Sequence, residues 1–222
     1  MTKTIAYLYR FRFEIFLAIQ CAILFGALIF PAGFYDRVVL PLMYLTSILA
    51  GVLMLSEKKK LAWFFLGLFA VSAFIFGSSL IDRRESPNDI FIRLTIYFIF
   101  HIVVAWHIIM QVWKAEVVGK NVVLGLMSGY ISLGFLGFFL FMSIELTHPG
   151  AFQGVLLNPD DLVMFSEGIM YYSFITLLTI GYGEIVPVIP IAQKAAILVG
   201  LTGQFYLVII TAVVIGKFLK QR

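Results

Sequence analysis

Long apolar runs separated by short polar clusters set the elements of this chain. Six runs are long enough to cross a bilayer, at about residues 13–30, 38–55, 61–80, 90–113, 122–145 and 191–219. At about 1.5 Å per residue, helices of about 18–29 residues cover a ~30 Å hydrocarbon core, the longer ones with tilt. None of the runs alternates with period 2, and a backbone in hydrocarbon must satisfy its own hydrogen bonds, so the pattern predicts helices rather than barrel strands. A seventh apolar piece, about 166–178, is too short to span. It leads into a polar, glycine-punctuated stretch, TLLTIGYGEIVP, from Thr176 to Pro187.

Composition then narrows the class. The 222 residues are 62% hydrophobic and only 13% charged, with a mean hydropathy of +1.02, too apolar for the surface of a soluble domain. The chain reads as an all-α, multi-pass membrane protein. A net charge of +4 in a soluble protein would point to nucleic acid; here the basic residues flank the apolar runs, so no nucleic-acid partner is expected. With the N-terminus inside, the cytoplasmic side collects Lys3, Arg10, Arg12, Lys58, Lys59, Lys60, Lys114, Lys120, Lys217, Lys220 and Arg222. The outer side has Arg37, Arg83, Arg84 and Lys194, with Arg93 near the outer end of the fourth helix. That bias predicts cytoplasmic termini in a plasma or bacterial inner membrane. The Glu57–Lys60 cluster fits this topogenic role, with anionic lipid contact as the alternative. Cys21 lies inside the first run and implies no intrachain disulfide. No cleavable signal peptide is expected, because Pro31 and Asp36 follow the first run, and no cytoplasmic ligand-binding domain is expected after Leu219.

The short apolar piece and its polar return read as a re-entrant loop dipping from the outside, which is tolerated at membrane depth only where it lines water or is buried in protein. Gly181 and Gly183 can adopt positive φ at little cost. Alternating left- and right-handed backbone would turn successive carbonyls to one side, and four copies around an axis would stack them into oxygen rings. The Thr179 hydroxyl adds a lower ring. Such rings replace the hydration shell of a bare cation, and the half-helix aims its partly negative C-terminal end at the cavity below.

Thr176 to Gly183 reads T-x-x-T-x-G-Y-G and resembles the signature of the tetrameric potassium channels. The likeness covers about 122–219: outer helix, pore loop and inner helix. It implies six transmembrane helices per chain, a four-helix membrane domain over 1–115 and a pore domain over 116–222. It also implies a homotetramer passing K+ with no other cofactor, through filter carbonyls of Thr179, Ile180, Gly181, Tyr182 and Gly183. Tyr171 and Tyr172 stand at the family's paired pore-helix aromatics and, with Tyr182, would form a cuff around the filter. Thr176 and Glu184 belong to the same support. The family usually has Asp where Glu184 stands. Some bacterial relatives keep a pore-helix glutamate where this chain has Ile175, so a filter held by that carboxylate is not expected here. Glu145 matches a glutamate that hydrogen-bonds the loop behind the filter, a solvated helix end being the other reading. Gly200 aligns best with the family's inner-helix hinge and Gly203 lies one turn on; close helix packing is the alternative for both.

Other residues carry less. A voltage sensor needs about 3–4 charges per subunit, each worth ~2.3 kcal/mol per 100 mV; the fourth helix offers Arg93 alone, so steep voltage gating is not expected. Arg93, Tyr97 and His101 form one stripe at i, i+4 and i+8, either buried structure or, through His101, a proton-sensitive element; His107 faces elsewhere. Asp160 and Asp161 precede the half-helix and would favour its N-terminus and concentrate cations. His101, His107 and His148 share no metal-ligand spacing with acids, and no enzyme motif is present. A non-selective cation channel and a K+ transporter or accessory subunit are the competing readings; a single intact loop with Tyr182 retained argues against both.

Overall fold

A computed structural model describes residues 8–31, 34–55, 58–82, 87–154, 157 and 162–221. Lys3, Glu57, Arg83, Arg84, Asp160, Asp161 and Arg222 lie outside these. Five helices precede the pore loop: α1 (Arg12–Phe25), α2 (Leu40–Met54), α3 (Lys59–Asp82), α4 (Pro87–Lys114) and α5 (Lys120–Thr147). The loop holds β1 (Phe152–Gly154), α6 (Leu162–Leu177) and β2 (Ile185–Pro187). The inner helix follows as α7 (Pro190–Phe205), a π turn (Tyr206–Ile210) and α8 (Thr211–Lys220).

Among the described residues, four helices are long and apolar enough to cross a membrane: 59–78, 91–114, 120–147 and the continuous 190–220. The first two predicted spans come out differently. α1 tightens into a 3-10 turn at Gly26–Leu28, where the Tyr35 hydroxyl donates to the Ile23 carbonyl and also reaches that of Ala22, which accepts the Gly26 amide as well. Gly26 is packed so closely on the Tyr35 ring that a Cβ would overlap it. α2 is shorter than the predicted span, with a π turn at Tyr35–Val39 feeding into it. The half-helix starts at Leu162, four residues before the predicted 166, since the Ser166 hydroxyl bonds back to the Val163 carbonyl inside the helix instead of capping it.

Large aromatics organise the first four helices. The buried Phe100 ring of α4 meets Phe16 of α1 at 6.4 Å and Phe65 of α3 at 5.5 Å, both edge-on. On α2, Gly51 leaves room for the same ring. α4 is joined to α5 by only residues 115–119, so the two pack antiparallel against each other. The predicted stripe faces this contact: Tyr97 stacks on Tyr44 of α2 at 4.9 Å, and His101 lies 5.2 Å from both Phe135 and Phe139 of α5. His101 is fully buried with Nδ1 2.9 Å from the Tyr97 carbonyl oxygen, a packing role. The four-helix unit therefore rests on the pore helices of its own chain. Gln20 of α1 adds a polar tie, donating to the Ser128 carbonyl (3.2 Å) and the Ser132 hydroxyl (2.8 Å) of α5. Lys120 and Glu14 add an ion pair at 3.1 Å.

Candidate functional site: the pore loop

α6 reaches its place because α5 is notched opposite it. Cβ atoms at Gly134 and Gly137 would overlap the Phe174 ring and the Ser173 hydroxyl of α6. The Ser173 hydroxyl donates to the Gly134 carbonyl at 2.7 Å, a buried interhelical bond. Sequence reasoning missed these residues, although Gly125, Gly129, Gly134 and Gly137 recur at near-helical spacing and mark a close-packing face.

The C-terminus of α6 runs directly into the expected filter residues. The Ile180 amide reaches back to the Ile175 carbonyl (2.9 Å) and the Thr179 amide to the Thr176 carbonyl (3.0 Å). These two bonds are a Schellman cap, which requires a left-handed residue at the position after the last cap residue. That residue is usually glycine; here it is Thr179, at φ 57°, where a β-branched side chain is strained by about 1–3 kcal/mol. The Thr179 hydroxyl donates to the neighbouring Leu178 carbonyl at 2.7 Å. At Ile175, where the chain has no carboxylate, the main-chain carbonyl ties the Ile180 amide to α6.

Beyond Thr179 the handedness alternates. Gly181 and Gly183 have φ of 57° and 96°, whereas Ile180 and Tyr182 are not left-handed. All five residues are exposed, Tyr182 at 74%, so nothing among the described residues covers the strip.

The outer end is tied down separately. The Glu184 carboxylate beside it pushes the pKa of the Tyr171 hydroxyl up to about 12. β2 pairs antiparallel with β1, Phe152 opposite Pro187 and Gly154 opposite Ile185, and the Val188 amide adds a bond to the Ala151 carbonyl at 2.9 Å. Gly154 is required here because a Cβ would overlap the Glu184 carbonyl oxygen. The Glu145 carboxylate then holds β1, its two oxygens accepting from the Gly150 amide (2.6 Å) and the Phe152 amide (3.1 Å). Tyr172 packs into a nest with Phe141 (5.1 Å) and Phe152 (5.5 Å). Of the two α6 tyrosines, Tyr172 is buried and Tyr171 is exposed.

The two inner-helix glycines differ. Gly203 lets α7 cross the end of α6 so closely that a Cβ would overlap the Leu177 carbonyl oxygen. Gly200 is freer, with a Cβ meeting only the Thr176 carbonyl oxygen at 3.7 Å.

A half-helix between two spanning helices, followed by an extended polar return, defines an ion-conducting pore module. Residues 156–221 match the model of the family described as ion channel, so this part of the chain is similar to that family. The protein is a multi-pass membrane ion channel and not an enzyme. No curated protein and no solved structure gave a match to the chain.

Proposed function

We propose that the protein is a potassium-selective channel, assembled as a homotetramer around residues 179–183. The observation that carries this reading is the alternation of φ sign from Thr179 to Gly183. Alternating handedness aims successive carbonyls at one side, the arrangement that replaces the water around a dehydrated cation. One chain supplies a quarter of each oxygen ring, and the exposed strip needs three further copies to close it. The C-terminal end of α6 presents its partly negative pole toward the cavity side of this strip, while Glu184 keeps a carboxylate at the outer mouth. The termini are placed on the cytoplasmic side of a plasma or bacterial inner membrane by the positive-inside bias. Purified protein in liposomes with a K+ gradient should show K+ flux that Na+ does not replace and that Ba2+ blocks. Equal K+ and Na+ flux would overturn the selective reading.

A further inference from the structure

The inner helix is not uniformly α-helical: Tyr206–Ile210 form a π turn, one residue wider than an α turn. In a continuous α-helix the eight residues from Tyr206 to Val214 would turn about 800°, leaving Val214 some 80° off the Tyr206 face. With the extra residue absorbed, the remaining seven steps turn about 700°, close to two full turns. Tyr206 and Val214 accordingly share a buried face, at 4% and 7% exposure.

Two side chains of the inner helix tie that setting to carbonyls outside it. The Tyr206 hydroxyl donates to the Leu126 carbonyl of α5 at 2.7 Å, over the notch left by Gly129. Its ring lies 5.6 Å from Tyr130, whose own hydroxyl donates to the Leu177 carbonyl at the base of the filter (3.2 Å). At the cytoplasmic end, the Lys217 ammonium donates to the Trp113 and Ala115 carbonyls where α4 ends. The Gln221 amide donates to the Glu116 carbonyl at 3.3 Å. Winding the π turn into α-helix would rotate residues 211–221 by about 100° and carry Lys217 off these carbonyls.

We propose that the π turn Tyr206–Ile210, held by Tyr206 and Lys217, is the gating element of the inner helix, in place of Gly200 or Gly203. The proposal rests on the pore reading above. Its two states are the π and the α form of this turn, which present different faces of α8 to the pore. Gly203, wedged against Leu177, is a packing residue. Gly200 bends nothing, because the break in helix geometry lies six residues further on.

Single-channel recording of the full-length protein in planar bilayers tests this. Tyr206→Phe removes one buried hydrogen bond and should shift open probability by about 2- to 10-fold, with unitary K+ current and K+/Na+ selectivity unchanged. Lys217→Met should shift it in the same direction, and the double variant should fall short of the product of the two, since both residues act on one rotation. Deleting Val208 removes the extra residue while keeping the register of α8, and should leave a channel fixed in one state. Gly200→Ala should leave open probability unchanged. A conducting wild type whose Tyr206→Phe and Lys217→Met variants keep wild-type open probability overturns the proposal, whatever the deletion does. A wild type with no K+ current overturns the pore reading instead.

Discussion

The four-helix unit and the pore module are held together by different means. Around Phe100 the contacts are ring on ring, with Phe16, Phe65 and the Tyr44–Tyr97 stack filling space between helices. Around the filter, the partners are backbone carbonyls and amides met by small residues and hydroxyls: Gly134 with Ser173, Gly203 with Leu177, Tyr130 with Leu177, Glu145 with Gly150 and Phe152. Dispersion between rings is tolerant of small shifts, whereas a backbone hydrogen bond fixes a position to a fraction of an ångström. The region proposed to coordinate an ion is built from the second kind of contact, and the region packed beside it from the first.

This contrast can be broken at either end. Phe100→Ala should have the largest effect on stability, about 3–5 kcal/mol, seen as a lower unfolding temperature of the detergent-solubilised protein. K+ selectivity of whatever remains folded should be unchanged. Glu145→Ala leaves the Gly150 and Phe152 amides without a charged acceptor and should cost about 1.5–3 kcal/mol. That loss should be accompanied by K+ flux that decays faster in liposomes, since β1 and β2 connect it to Glu184. Gly203→Ala should cost about 1–3 kcal/mol through overlap with the Leu177 carbonyl. Gly200→Ala, by contrast, should be neutral or stabilising by about 0.5–1 kcal/mol. A Gly200→Ala variant as unstable as Gly203→Ala would show that the two glycines do not differ in packing. The smallest effect is expected for Gln20→Leu, about 0.6 kcal/mol, since it breaks a polar tie inside the ring-packed region; a much larger loss would place Gln20 among the position-fixing contacts.

Much of this architecture is legible in the sequence because hydrophobic run length and the positions of Lys and Arg report directly on membrane spans. α3, α4 and α5 begin and end within a few residues of their apolar runs. The filter is legible because its two glycines have a backbone reason to be there. What stays hidden depends on single tertiary contacts. Nothing local says that Tyr35 will cap α1, that Ser166 will bond backward, or that Thr179 will occupy a position glycine usually takes. The π turn in the inner helix is invisible to a hydrophobicity pattern, because YLVII is equally apolar in either winding. The different burial of Tyr171 and Tyr172 likewise follows from where α5 and β1 lie, which adjacent identical residues cannot encode.

The five-residue link at 115–119 has a consequence for mixtures of subunits. A link this short spans at most about 18 Å, and α4 folds straight back along α5, so in the proposed tetramer each four-helix unit stays beside the pore helices of its own chain. In assemblies of wild-type and altered chains, a lesion in the first four helices would then act on the inner helix of its own chain. The phenotype should grade with the number of altered copies, each adding its own increment, instead of appearing when the first copy enters.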